Sequence, residues 1–109
     1  MSRGEFLGDF EQLILLAVWR LGREAYGLGI QQELAARAGR EASIGAIYTT
    51  LDRLEQKELV RSELGESTAE RGGRAKRIFT VTPGGKAALR QSIGATRAMA
   101  DGLKGLGLA

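Results

Sequence analysis

A β-hairpin pattern set among helical patterns is the feature that most constrains this fold. Segments 59–64 and 76–82 have the β-branched and alternating character of strands, and β-branched residues are most frequent in the second. Between them lie about eleven residues, 65–75, rich in glycine and charge. The sequence predicts a mainly α (α+β) domain with one long-looped hairpin.

The first helical segment is apolar around nearly its whole circumference. Asp9 is a good N-cap residue, and Gln12 three positions later completes a capping-box pattern. Phe10, residues 13–19 and Leu21 are apolar, and Gly22 ends the segment. A single core-facing side needs only one apolar stripe. The second face lies either deep in the fold or against another chain, and in a chain this short we favour the second arrangement.

Two further helices precede the hairpin. The second is expected from residue 26 or 27 to Ala38, with Gly39 as its end. Gly27 and Gly29 at its start permit close helix approach there or simply fray the first turn. The third is expected over residues 44–57, with Ser43 as its N-cap.

The helical phase of the third helix separates two faces. One face is apolar and consists of Ile44, Ile47, Leu51 and Leu54. The opposite face holds Gly45, Thr49, Asp52, Arg53 and Gln56, with Tyr48 and Glu55 along one flank. Its N-terminal half, including Ala46, is small and uncharged. Such a surface either tolerates exposure or suits close approach to a phosphate backbone or groove wall.

A fourth helix is predicted after the hairpin. Thr82 is a suitable N-cap, and Pro83 occupies the first helical position. The helix has a weakly apolar stripe and would be marginal without a partner surface. Its members are Leu89, Ile93, Thr96, Ala100 and Leu103. Residues 1–82 are therefore expected to form the main domain, and residues 83–109 a C-terminal helix with a glycine-rich, frayed tail.

Composition excludes several function classes. The 109 residues contain no cysteine and no histidine, so disulfides, Cys- or His-based metal sites and His-dependent catalysis are excluded. No cofactor and no enzyme activity are predicted. The longest apolar run is too short to cross a bilayer, and no secretory signal is read, which predicts a cytoplasmic protein.

Positive charge is concentrated near the hairpin. The net charge is +3, with seven basic and eight acidic residues in 1–57 but nine and five in 58–109. Segment 71–77 contains no acidic residue, and its cations are Arg71, Arg74, Lys76 and Arg77. A basic cluster of this size is either a solvated loop or a surface for a polyanion.

The order of the predicted elements is helix, helix, helix, strand, basic loop, strand, helix. This order is that of a winged helix-turn-helix, in which the third helix enters the major groove of DNA. The hairpin, or wing, then lies beside the flanking backbone. Contact with DNA would then explain both the small exposed face of the third helix and the basic loop of the hairpin.

Three segments resemble the PadR-like family of bacterial regulators: Tyr26-Gly27 before the second helix, 47–55 in the third helix and 73–85 at the exit of the wing. The resemblance covers about residues 6–103. The family often has proline after the tyrosine of the third helix, where this chain has Thr49, and an acidic residue where it has Gly84.

The resemblance implies a transcriptional regulator, usually a repressor, that binds an inverted repeat as a homodimer. In short members the C-terminal helix packs against the partner's first helix. Such packing would explain why the first helix is apolar on nearly all sides and would give the marginal fourth helix the partner surface that it needs. The expected dimer interface comprises Phe10, Leu13, Ile14, Ala17, Leu89, Ile93, Thr96, Ala100 and Leu103. Some members hold aromatic drugs with a tryptophan on the last helix. Here that helix has Met99 and no aromatic residue, so a small-molecule effector stays unidentified.

The expected DNA contacts fall into three groups. The amides of 43–46 and Tyr48 would hold phosphates, whereas Thr49, Asp52 and Arg53 would meet base edges. Arg71, Arg74, Lys76 and Arg77 would contact the flanking backbone or minor groove. Because side chains alternate along a strand, only one of the last two is expected to reach DNA.

Two other functions fit parts of this pattern. A winged helix can dock a protein with its third helix and bind no specific DNA sequence. The basic wing and the small-faced helix favour double-stranded DNA over this role. The second is a metal- or redox-sensing regulator of the same fold, which the absence of cysteine and histidine disfavours and for which only an all-carboxylate metal site stays open.

Overall fold

The computed structural model describes residues 6–65 and 76–107. A 3₁₀ turn at Gly22–Glu24 follows the first helix, and the wing lies between the third and fourth. The elements are α1 (Asp9–Leu21), α2 (Gly27–Ala38), α3 (Ile44–Gln56), β1 (Val60–Leu64), β2 (Arg77–Val81) and α4 (Pro83–Ala100). This order confirms the predicted winged-helix architecture.

The strands form one antiparallel pair, in which Val60 lies opposite Val81 and Leu64 opposite Arg77. Both strands are slightly shorter than predicted. The hairpin is also tied to the helical body by a backbone hydrogen bond, because the Phe79 amide donates to the Ala25 carbonyl at 2.9 Å. Ala25 and Phe79 are both fully buried. This bond joins the wing to the connection between α1 and α2.

A single core draws side chains from every helix and both strands. The largest fully buried ones are Phe79, Ile14, Leu15, Ile30, Ile47, Leu51 and Leu54. Burying each aliphatic or aromatic side chain stabilises the fold by about 1.5–3 kcal/mol. This common core fixes α3 relative to α1, α2 and the wing.

The start of α1 differs from the prediction by one residue. Gly8, not Asp9, is the N-cap, and its amide donates to Glu11 Oε1 at 3.0 Å. Asp9 stands at the first helical position and pairs with Arg40 at 2.9 Å. An acidic residue is favourable at either position because of the helix dipole, so the local pattern did not distinguish them.

The buried arc of α3 is also shifted from its predicted position. Ile47, Leu51 and Leu54 are buried as expected, but Thr50 is the fourth buried residue. Ile44 remains 38% exposed, because it lies at the edge of the arc in the first turn. The polar face is unchanged by this shift.

The start of α4 confirms the prediction. Thr82 Oγ1 accepts a hydrogen bond from the Gly85 amide at 3.0 Å, and Pro83 opens the helix. The same hydroxyl donates to the Glu58 carbonyl at 2.8 Å. The helix ends at Ala100, so Leu103 lies beyond it.

Gly85 allows the start of α4 to pack closely against the backbone of Leu59, the residue before β1. A Cβ at Gly85 would overlap the Leu59 carbonyl oxygen and lie 2.7 Å from Val81 Cγ1. Gly85→Ala should therefore lower the free energy of unfolding by roughly 1–3 kcal/mol, as overpacking does.

Gly84→Ala is the matched control. Its added Cβ would meet nothing nearer than 3.6 Å, and alanine should raise stability by up to about 1 kcal/mol. Urea unfolding measures both. Equal stability of the two variants would contradict the close packing described here.

Candidate nucleic-acid interface

The N-terminal half of α3 presents a surface of small, uncharged residues. Ser43 Oγ accepts a hydrogen bond from the Ala46 amide at 3.0 Å, which confirms Ser43 as the N-cap. The amides of Ile44 and Gly45 belong to the first turn, where a helix offers no internal acceptor. Gly45, Ala46 and Thr49 are all exposed. Because Ala46 already donates to Ser43, the amides of Ile44 and Gly45 are those of the first turn that stay available to an incoming anion.

Tyr48 lies half-buried on the flank of this surface, close to the start of α2. A Cβ at Gly27 would approach Tyr48 Oη to 2.7 Å. Of the two roles expected for this glycine, close helix approach is therefore the one observed. The Tyr48 ring also packs against Phe79, with 6.2 Å between ring centroids.

An ion-pair cluster borders α3 on the side of α1. The Glu11 carboxylate, whose side chain is only 12% exposed, accepts a hydrogen bond from Lys57 Nζ at 3.3 Å. Arg53 Nη1 lies 3.9 Å from the same oxygen and remains half-exposed. The Arg53 contact is long, so this side chain can turn outward at small cost.

A second cluster borders α3 on the side of the wing. Arg77 Nη2 lies 2.7 Å from Glu55 Oε1, and Nη1 lies 3.4 Å from Asp52 Oδ1. The sequence assigned Asp52 and Arg77 to separate DNA contacts. The structure instead pairs them with each other, because the pleat of β2 turns Arg77 towards α3. Helical phase placed Glu55 on a flank of α3 but carried no signal for its partner.

Lys76 diverges from Arg77, as strand alternation predicts. Its Nζ lies 4.1 Å above the centroid of the Tyr26 ring, at the start of α2. The residue is exposed. Arg71 and Arg74 lie outside the described residues, and their assignment stays a prediction from sequence.

The expected dimer residues divide into two groups. Ile14, Ala17 and Leu89 are at most 3% exposed in the single chain, so its own core already covers them. Their assignment to an accessible surface is corrected accordingly. The others retain some or most of their surface: Phe10, Leu13, Ile93, Ala100, Thr96 and Leu103. Phe6, which the predicted interface does not include, is a further exposed apolar side chain at 58%.

Two further observations concern other kinds of site. Within residues 6–65 and 76–107, no three acidic side chains are grouped closely enough to hold a metal ion. Among the described helices, none has the length and apolar character needed to cross a membrane.

Comparison with known proteins gives consistent matches. The model of the transcriptional regulator PadR-like family matches residues 15–91. The transcriptional regulator Rv3488 of Mycobacterium tuberculosis is 41% identical over 68 residues, which are 62% of this chain and 59% of that protein. The chain therefore matches about three-fifths of the length of that curated relative.

Solved structures show the same architecture. A PadR-like transcription factor from Bacteroides fragilis superposes with a TM-score of 0.70 at 26% identity, covering 83% of this chain and 82% of that one. A PadR-family regulator from Clostridium difficile gives the same TM-score and identity, covering 84% and 91%. Because the family model spans most of the chain, the resemblance inferred from the residues is confirmed. The chain is a winged-helix member of the PadR-like family, whose members are transcriptional regulators and not enzymes.

Proposed function

We propose that this protein represses transcription by binding double-stranded DNA as a homodimer at an inverted-repeat operator. In each subunit α3 would enter the major groove and the wing would follow the flanking backbone. The observation that carries the proposal is the exposed, small face of Gly45, Ala46 and Thr49 at a capped helix start. No long side chain there keeps the helix away from the groove floor. A cytoplasmic location, with the DNA, follows from this role.

Phosphate contacts would lie around the start of α3. The Ile44 and Gly45 amides carry the positive end of the helix dipole, which attracts an anion. The Tyr48 hydroxyl lies close to Gly27, at the start of α2. Ser43 would act by capping the helix and so fixing the direction of those amides. In the described part of the wing, Lys76 and Arg61 are exposed cations.

Base contacts would come from Thr49 and Arg53. Both are exposed on the outward face of α3. Arginine reads guanine through two parallel hydrogen bonds, and the long contact with Glu11 is weak enough to be exchanged for them. Asp52 is a weaker candidate than the sequence suggested, because Arg77 already pairs with its carboxylate.

The exposed end of α4 supports the dimer. The first half of this helix is held to the body, where Leu89 and Ser92 are buried and the Leu7 amide donates to Ser92 Oγ at 3.0 Å. From residue 94 to 99 every residue is exposed, including Met99 at 79%. Two turns of helix that contact so little of their own chain gain stability from a partner.

The salt dependence of duplex binding tests the function directly. Two or three phosphates per subunit would neutralise about 4–6 charges in the dimer, so log affinity should fall against log salt with a slope of roughly −4 to −5. Fluorescence anisotropy with duplex DNA from upstream of the protein's own gene measures it. Replacing Arg71 and Arg74 with alanine should weaken binding on every sequence and flatten the slope. Binding that ignored salt, or no duplex binding, would favour a protein-docking winged helix.

Arg53→Ala should change which sequences bind. Loss of a guanine contact relaxes the preference at one position in each half-site by about 1–3 kcal/mol. Arg90→Ala, an exposed position on α4, removes the same charge away from α3 and serves as the control. Binding to a panel of single-base operator variants measures both. An unchanged preference in Arg53→Ala would remove Arg53 from the reading face.

Substitutions on α4 test the dimer. Thr96→Glu places a charge on the expected interface stripe and should dissociate the dimer into 11.7 kDa monomers. Ala98→Glu adds the same charge on another side of the helix, about 200° away, and should leave the dimer intact. Both residues are exposed in the single chain, so neither change disturbs its core. Light scattering gives the masses. A monomeric wild type, or a dimeric Thr96→Glu, would contradict the proposed interface.

A further inference from the structure

We propose that Arg77 is a positioning residue that locks the wing to α3, and not a phosphate contact. This inference rests on the proposed DNA-binding function. It reassigns a residue that the sequence placed among the DNA-binding cations of the wing.

The geometry of the guanidinium carries the inference. Nη2 donates to Glu55 Oε1 at 2.7 Å, Nη1 lies 3.4 Å from Asp52 Oδ1, and Nε donates to Ser62 Oγ at 3.2 Å. Each of the three nitrogens therefore has a partner within the protein, while 37% of the Arg77 side chain stays exposed. The guanidinium carbon Cζ also lies 4.9 Å from the centroid of the Phe79 ring, which is fully buried.

The partners of Arg77 are themselves connected. Ser62 Oγ donates to Glu55 Oε2 at 3.0 Å while it accepts from Arg77. Glu55 lies on α3, Ser62 on β1 and Arg77 on β2. One network of charge-assisted hydrogen bonds thus joins the helix and both strands of the wing. Such bonds are roughly twice as strong as neutral ones.

The local charge opposes direct phosphate binding at this point. Asp52 and Glu55 together carry two negative charges against one on Arg77, so the cluster is net negative. A phosphate placed on Arg77 would be repelled by both carboxylates at short range. The network suits a different task, which is to hold a fixed angle between the helix that reads bases and the wing that follows the backbone.

A double-mutant cycle separates the two roles. Arg77→Gln removes a positive charge, Glu55→Gln removes a negative one, and the double variant keeps the net charge of the wild type. If Arg77 positions the wing, each single change should weaken duplex binding by roughly threefold in each subunit. The dimer carries the change twice, so its affinity for duplex DNA should fall about tenfold. The double variant should bind no worse than either single variant, with the salt slope of the wild type.

If Arg77 were instead a phosphate contact, Glu55→Gln would change the affinity for duplex DNA in the opposite direction. If Arg77 binds phosphate and Glu55 restrains it, Glu55→Gln should strengthen duplex binding and Arg77→Gln should flatten the salt slope. Lys76→Gln is the matched control, because it should flatten the slope and add independently to Glu55→Gln. Tighter binding by Glu55→Gln, or additive losses in the cycle, would overturn the inference.

The same cycle measured by urea unfolding without DNA keeps the two proposals distinguishable. Non-additive unfolding free energies are expected, since the network exists in the free protein. Additive free energies would overturn the positioning role even if the wild type binds DNA. A wild type that bound no duplex would overturn the proposed function and, with it, this reassignment of Arg77.

Discussion

The position of the wing relative to α1, α2 and α3 depends on the burial of Phe79. Its ring is fully buried and packs against Tyr48 of α3, while its amide donates to the Ala25 carbonyl between α1 and α2. A two-stranded hairpin is not stable by itself, so this attachment is what makes the wing a fixed part of the domain. The direction of the strand then follows, and the pleat places Arg77 against α3 and Lys76 near the start of α2.

The surface proposed to meet DNA is bordered by ion pairs on both sides. Glu11, Arg53 and Lys57 lie on one border, and Asp52, Glu55 and Arg77 on the other. These pairs are partly exposed, so each contributes little stability by itself. Their effect is to leave the small residues and the first-turn amides of α3 as the unobstructed centre. The net charge of the chain therefore says less about binding than the placement of its charges.

Local signals predicted much of this structure from sequence. Ser43, Thr82 with Pro83, and Gly39 fixed the ends of three helices, because each satisfies a need of the adjacent backbone. The order of elements then determined the fold. The predicted start of α1 was off by one residue, since Gly8 and Asp9 are both acceptable caps.

Contacts between distant segments were not predictable in the same way. Helical phase placed Leu89 and Ile14 on apolar faces. A sequence pattern does not distinguish an apolar face covered by the chain's own core from one covered by a partner, and here the core covers both residues. The pairing of Arg77 with Glu55 depends on strand register and hairpin direction, which hydrophobic pattern alone does not supply. For the same reason the sequence grouped Arg77 with the other cations of the wing.

Binding-site selection with the purified full-length protein tests the central claim most directly, because it reports both a sequence and a spacing. A homodimer that places α3 in the major groove should enrich an inverted repeat. Its half-sites should be centred about 10 base pairs apart, or a multiple of that distance. Enrichment of a single unrepeated site, or of no sequence at all, would contradict the account.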